Sequence, residues 1–93
     1  MEAVLWYVLS GTRGGPNRVA ILRALRERPR NPNQLADALN LNYDTVRHHL
    51  DVLADNGVVR ASGDEYGAVY LPSDAVRENW ETVETITDQI DHS

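Results

Sequence analysis

Helical periodicity is clearest between residues 31 and 57, where apolar side chains recur every three or four positions. The first pattern has Asn31 as its cap and Pro32 at the first helical position. Its apolar face consists of Leu35, Ala36 and Leu39. Gln34 follows Asn31 by three residues, which is the spacing of a capping box. This pattern predicts a helix that begins at Pro32.

A second helical pattern starts after Asn42 and stops at Gly57, a residue suited to a left-handed helix end. Its apolar positions have helical spacing and are Val46, Leu50 and Leu53. Only residues 40–42 separate the two patterns, and we expect Leu41 to point inward. Two helices joined by so short a turn predict a helix-turn-helix over about residues 32–56. The second helix of such a unit can enter the major groove of DNA.

Further elements surround this pair of helices. Residues 16–28 predict a helix that ends before Pro29, with an apolar side formed by Val19, Ile21, Leu22 and Leu25. Residues 58–71 predict a β-hairpin, or wing, with strands at 58–62 and 66–71 and a turn over residues 63–65. Pro72 breaks the second strand, and Ser73 caps a last helix that ends at about residue 91.

The segment LADALNLNYDTVRHHLDVLADNGVV resembles the core of ArsR-like winged helix-turn-helix transcription regulators, in particular the small archaeal ones. The residues that carry the resemblance are Leu35, Ala36, Leu39, Leu41, Thr45, Val46, His48, His49, Leu50, Val52, Leu53, Gly57, Val58 and Val59. The resemblance implies one winged helix-turn-helix domain over residues 1–93, mainly α-helical with a small β-hairpin. It also implies a homodimer that binds operator DNA.

Both ends of the chain are rich in large apolar residues. The run AVLWYVL near the N-terminus is too short for periodicity to separate helix from strand, and Glu2 together with the resemblance favours a helix. Packing of the two terminal helices onto the protomer's own core competes with pairing against a second subunit. The dimer interpretation assigns to the interface Val4, Leu5, Trp6, Val8, Val76, Trp80, Val83, Ile86 and Ile90.

The polar side of the second helix of the pair is the candidate surface for reading DNA. Base contacts usually come from the N-terminal part of a recognition helix. The candidates are Asn42, Tyr43, Asp44, Thr45, Arg47 and His48. The Arg47 guanidinium suits a guanine edge, and the Asp44 carboxylate could accept from a cytosine amine. A solvated face with one charge pair is the alternative interpretation.

Phosphate contacts are expected around the sequence GTRGGP, residues 11–16. The segment lacks the Lys and the spacing of a P-loop, but free N–H groups at a helix start attract phosphate. The candidates there are Thr12, Arg13, Asn17 and Arg18. A flexible connector is the alternative. In the wing the candidates are Arg60 and Tyr66, while Asp64 and Glu65 at its tip oppose insertion into the minor groove.

The charge is unusual for a protein that binds DNA. Fourteen acidic residues against nine basic ones give a net charge of −5, and every basic residue is Arg. Residues 1–60 contain eight Arg and six acids, whereas residues 61–93 contain one Arg and eight acids. An acidic chain without Lys suggests a salt-loving host, and a GC-rich genome is the other explanation. At high salt, counterion release contributes little to DNA affinity, so the negative charge is less of an obstacle.

Several function classes are excluded or disfavoured. The chain has no Cys, which excludes disulfides and thiolate metal sites. His48 and His49 project about 100° apart on a helix and are poorly placed to chelate one ion; His49 is predicted to be packed and hydrogen-bonded. No nucleophile motif is present, so we expect neither an enzyme nor a cofactor. Without a membrane-length apolar run or a basic N-terminal segment, a cytoplasmic protein is expected.

The sequence therefore predicts a DNA-binding regulator, with repression as the favoured direction. The rival is a winged-helix module for protein interactions that does not bind DNA. The acidic wing and tail favour the rival, and the polar set of Thr45, Arg47 and His48 favours DNA. Because the chain has no room for a ligand domain, any small-molecule effector would have to bind at the dimer interface.

Overall fold

The computed structural model describes residues 1–11, 13–63 and 68–91. Its elements are, in chain order, α1 (Glu2–Ser10), α2 (Gly15–Glu27), α3 (Pro32–Leu39), α4 (Tyr43–Asp55), β1 (Val59–Ser62), β2 (Val69–Pro72), α5 (Asp74–Glu78) and α6 (Trp80–Asp91). The predicted fold class, mainly helical with a small β-hairpin, is confirmed. No helix in the described part of the chain is long and apolar enough to cross a membrane.

The helix-turn-helix forms from local signals, as predicted. Asn31 Oδ1 accepts from the Gln34 backbone N–H at 2.8 Å, and Gln34 Oε1 accepts from the Asn31 backbone N–H at 2.9 Å. Both halves of the capping box are therefore present at the start of α3. Asn40, with φ of 54°, ends α3 in the left-handed region. Asn42 Oδ1 then accepts from the Asp44 backbone N–H at 2.8 Å and starts α4.

The wing is an antiparallel pair in which Val59 lies opposite Pro72 and Ser62 lies opposite Val69. The sequence predicted that Pro72 would break the second strand after residue 71. In the structure, Pro72 is instead the last residue of β2. A second pairing was not predicted. The backbones of Arg30 and Tyr70 exchange two hydrogen bonds, of 3.2 and 2.8 Å, which tie the wing to the linker between α2 and α3.

The C-terminal segment forms two helices, so the prediction of one continuous helix over residues 73–91 is wrong. The interruption is at Asn79, where the backbone has φ of −114° and ψ of 26°. Its side-chain amide donates to the Ala75 carbonyl at 2.8 Å, and its own carbonyl accepts from the Thr82 N–H at 2.9 Å. The side chain thereby satisfies a carbonyl at the end of α5, as local capping by Asn does.

One hydrophobic core unites α1, α2, α3, α4, the wing, α5 and α6. Most of the residues assigned to a dimer interface lie in it: Leu5, Val8, Val76, Val83 and Ile86 have no exposed surface, and Trp80 is 8% exposed. That part of the interface prediction is wrong. α1 and α6 lie against each other and against α2, so their apolar sides face the protomer's own interior. Only the partly buried members of the set, Val4, Trp6 and Ile90, remain at the edge of the core.

Candidate nucleic-acid interface

Helix α4 divides into a buried and an exposed side. Val46, Leu50 and Leu53 are fully buried, and they fix which side faces outward. The outward residues include the whole predicted reading set: Asn42, Tyr43, Asp44 and His48 are exposed, and Thr45 and Arg47 are half-buried. The structure therefore brings all six candidates together on one surface at the N-terminal half of α4.

The Arg47 side chain lies where α4 meets the wing. Its Nη1 donates a long hydrogen bond of 3.5 Å to Tyr70 Oη, and its Nη2 lies 3.9 Å from an Asp51 carboxylate oxygen. The side chain is 41% exposed. These contacts are weak in the solvent-exposed setting, so the guanidinium can exchange them for a stronger acceptor.

Tyr70 is a residue of this surface that the sequence analysis missed. It belongs to β2 and reaches Arg47, while its backbone pairs with Arg30. No local pattern in the sequence marks Tyr70, because its contact with Arg47 joins residues 23 positions apart. A cleft of about 190 Å³ separates this strand from the starts of α3 and α4, and its lining consists of Asn31, Pro32, Asn33, Tyr43, Arg47, Ala68 and Tyr70.

Arg18 is not a surface residue, and its prediction as a phosphate contact is wrong. The side chain is 6% exposed. Its Nε donates to His49 Nδ1 at 3.1 Å, and its Nη1 donates to the Val8 carbonyl at 3.1 Å. The acceptors inside the fold hold the guanidinium inward. Of the other candidates near the start of α2, Arg13 is exposed and Asn17 is half-buried.

The two adjacent glycines before Pro16 serve the packing of helices. A Cβ on Gly14 would lie 2.6 Å from His49 Cε1, and a Cβ on Gly15 would overlap the Leu9 carbonyl oxygen. The start of α2 thus approaches the end of α1 and the middle of α4 more closely than an added Cβ would allow. This close approach explains the glycines better than either a phosphate cradle or a flexible connector.

His49 is packed and hydrogen-bonded, as predicted. It is 6% exposed, and its Nδ1 accepts from Arg18. Burial, the Arg18 charge and His48, in that order, lower the pKa of His49. The ring is therefore neutral at neutral pH, with its proton on Nε2. Over residues 1–11, 13–63 and 68–91, no three His, Asp or Glu side chains converge in a way that would hold a metal ion.

The surface around α4 carries charges of both signs. Asp44, Asp51 and Asp55 are exposed on the helix, and Arg60 is exposed on β1. With Arg47 half-exposed, this face has no excess of positive charge. Two candidates from the sequence, Thr12 and Tyr66, lie outside the described residues, as do the acidic residues Asp64 and Glu65.

Comparison with known proteins identifies the family. Residues 15–61, half of the chain, match the family described as bacterial regulatory protein, arsR family. The matched segment runs from the start of α2 into β1 and includes the whole helix-turn-helix. A search of curated proteins found no significant match.

Solved structures share the fold over nearly the whole chain. One is the homodimeric winged helix-turn-helix DNA-binding domain of Mb0332 from Mycobacterium bovis, with 22% identity, a TM-score of 0.75, and coverage of 98% of this chain and 82% of that one. An ArsR-like transcriptional regulator from Rhodococcus sp. RHA1 has 23% identity, a TM-score of 0.70, and coverage of 97% and 80%. The transcriptional regulator HlyU from Vibrio vulnificus CMCP6 has 19% identity, a TM-score of 0.70, and coverage of 96% and 83%.

Proposed function

Because the chain belongs to the arsR family of bacterial regulatory proteins, we propose that it is a sequence-specific DNA-binding transcription regulator that acts as a homodimer and represses its target. The recognition helix is α4, and it lies in the major groove. The observation that carries this proposal is the exposed N-terminal half of α4, where Arg47 stands at the junction with the wing.

Base recognition begins with Arg47. On binding, its guanidinium leaves the weak contacts with Asp51 and Tyr70 and donates two parallel hydrogen bonds to a guanine edge. Thr45 and His48, on the same side of α4, contact neighbouring bases or phosphates. The Tyr70 oxygen accepts from Arg47, so the Tyr70 O–H can donate to a phosphate oxygen beside the wing.

Affinity is expected to depend weakly on salt. Of the candidate DNA contacts among the described residues, three are cations near the surface: Arg13 and Arg60 are exposed, and Arg47 is half-buried. A protein that neutralises few phosphates releases few counterions, so its affinity falls only slightly as salt rises. This behaviour suits the salt-loving host that an acidic chain without Lys suggests.

The homodimer uses the outer side of the terminal helices. Tyr7 on α1 is 63% exposed, and Val4, Trp6 and Ile90 are only partly covered by the protomer core. The M. bovis domain of the same fold is described as homodimeric. Two-fold pairing would place the two α4 helices about 34 Å, or one DNA turn, apart on a pseudo-palindromic operator.

Salt should strengthen this dimer. A groove between α1 and α6 beside Trp6 is lined by four acids, namely Glu2, Glu81, Glu84 and Asp88. Bringing two copies of the groove together costs electrostatic energy, and molar salt screens that repulsion to within about 3 Å. The dimer is therefore tighter at high salt than at low salt.

A second candidate function is supported by the acids on α4. Asp44, Asp51 and Asp55 are exposed on the recognition helix, and like charges near phosphate weaken DNA binding. A winged helix that binds another protein through this face is the corresponding function. It predicts that no DNA is retained under any salt condition.

The two functions are separated by selection of duplexes from fragmented genomic DNA at about molar salt, followed by anisotropy titration of the selected duplex. Arg47→Ala should weaken specific binding by about 1–3 kcal/mol, or about 5- to 150-fold. Arg77→Ala, which removes an exposed Arg from α5, is the matched control and should not change affinity. Failure of the folded protein to retain any duplex would support the protein-interaction module, and unchanged affinity in Arg47→Ala would remove that residue from the site.

A further inference from the structure

Three helices meet at one buried polar pair. Arg18 belongs to α2, and its guanidinium donates to the Val8 carbonyl in the last turn of α1 and to His49 Nδ1 in α4. Both side chains of the pair are 6% exposed. Gly14 packs against the pair so closely that a Cβ there would lie 2.6 Å from His49 Cε1 and 3.1 Å from two Arg18 guanidinium atoms. The pair therefore links α4 to α1 and α2 through hydrogen bonds, beside the apolar core that the three helices share.

The contact exists in only one protonation state of the imidazole. A guanidinium only donates hydrogen bonds, and it stays charged at every accessible pH. His49 Nδ1 must therefore be unprotonated in order to accept from Arg18 Nε. A proton on Nδ1 would place two N–H groups face to face and add a second positive charge to a buried site, which is costly.

The charged groups that act on His49, within the described residues, all oppose its protonation. Arg18 faces it from α2, and His48 lies beside it on α4, with ring centroids 5.6 Å apart. From α1 the neighbouring polar group is the Val8 carbonyl, which is bound to Arg18. No carboxylate is among the groups that shift its pKa.

We propose that the Arg18–His49 pair is a proton-sensitive positioning device: neutral His49 holds α4 against α1 and α2 in the DNA-binding arrangement, and protonation of His49 loosens α4 and weakens DNA binding. Arg18 and His49 act through α4 and do not touch DNA. Only the effect on DNA rests on the proposed function, because the hydrogen bond itself is a property of the protomer.

The direction of the pH effect follows from linkage. Burial, Arg18 and His48 lower the pKa of His49 in the folded protein, so below about pH 6.5, the ordinary histidine pKa, the unfolded chain takes up a proton that the folded chain rejects. The contribution of His49 to the free energy of unfolding is fully present above about pH 6.5. It is lost as the pH falls toward the lowered pKa of the folded protein.

The first measurement needs no variant. Nitrogen NMR of the histidine rings between about pH 5 and 8 should show His49 with an unprotonated Nδ1 at neutral pH and a titration midpoint below the ordinary histidine value of about 6.5. A His49 midpoint at or above that value, or a protonated Nδ1 at neutral pH, would overturn the proposal.

The second measurement follows DNA affinity and stability across the same pH range. His49→Asn places an amide oxygen where Nδ1 was, so it keeps an acceptor for Arg18 but cannot be protonated. His48→Asn is the same substitution one residue earlier, at an exposed position. Wild-type affinity for the selected duplex should fall as the pH drops through the lowered pKa of His49, by at most tenfold per pH unit for one linked proton. His48→Asn should keep that loss, and His49→Asn should abolish it.

The possible results separate this inference from the proposed function. Identical pH profiles for wild type and His49→Asn, with DNA bound, would refute the positioning device and leave the regulator intact. Absence of DNA binding at every pH would refute the proposed function together with the DNA effect. In that case the histidine titration and the pH dependence of unfolding would still decide whether the pair positions α4.

Discussion

Replacement of Trp80 by Ala distinguishes a core role for α6 from an interface role. Trp80 is 8% exposed and packs in the protomer core. Its Nε1–H donates to Glu84 Oε1 at 2.9 Å, and the Arg26 guanidinium lies 4.4 Å from the ring centroid. The change removes the apolar burial, the hydrogen bond and the cation–π contact together. We therefore expect it to unfold the protomer before it dissociates the dimer.

The magnitude follows from these contacts. Truncation of a buried Trp to Ala costs about 3–5 kcal/mol, and the cation–π contact at a partly exposed ring is worth about 0.5–1 kcal/mol of that. Trp80 borders a surface cleft that it shares with Arg26 and Glu84, so water and the Arg26 side chain can fill part of the space. We therefore expect the free energy of unfolding to fall by about 3 kcal/mol, the lower end of that range. For a domain of this size, this corresponds to a fall in Tm of about 12–24 °C.

Urea unfolding and sedimentation at high salt, at one protein concentration, test this expectation. Tyr7→Ala is the matched variant, because Tyr7 is 63% exposed on α1. It should leave protomer stability within about 0.5 kcal/mol but shift the dimer toward monomer. If Trp80→Ala lowers the free energy of unfolding of the protomer by less than about 1 kcal/mol but dissociates the dimer, Trp80 anchors the interface. That result would refute its assignment to the protomer core. A wild-type monomer at micromolar concentration would refute the dimer.

Two further predictions concern the start of α2 and the wing. Gly15→Ala should destabilise the protein by about 1–3 kcal/mol in urea unfolding, because its Cβ would overlap the Leu9 carbonyl; a neutral substitution would mean that α1 and α2 are not so close. Replacement of Asp64 by Asn and Glu65 by Gln should leave affinity for the selected duplex equal or stronger in anisotropy titrations, and a clear loss would indicate that the acidic tip contacts DNA through bridging cations.

The helix-turn-helix was predictable because its determinants are local. The residues that start and stop its helices, namely Asn31, Gln34, Asn42 and Gly57, act on backbone groups within four positions. The periodic face of α4 also placed His49 correctly, because it follows Val46 by three positions and precedes Leu53 by four. Local capping and helical periodicity are properties that a single sequence contains.

The errors concern contacts between distant residues. Arg18 looked like a surface cation, but its acceptors are ten positions before it and thirty-one positions after it. An amphipathic stripe predicts that Val83 and Ile86 are buried but does not identify the element that buries them. In the structure, α1 and α2 of the same protomer bury them. Tyr70 was missed for the same reason, since its partners Arg30 and Arg47 belong to other elements.

The pairing of Arg30 with Tyr70 also bears on aggregation. A two-stranded ribbon exposes unpaired N–H and C=O groups along its edges, and another chain can add to them as a new strand. Along the outer edge of β2, the Tyr70 N–H and C=O are occupied by Arg30. The next outward-facing position along that edge is Pro72, because the direction of the N–H alternates along a strand, and Pro has no N–H to offer. This protection depends on backbone geometry and not on charge repulsion, so it persists at salt concentrations that screen the acidic surface.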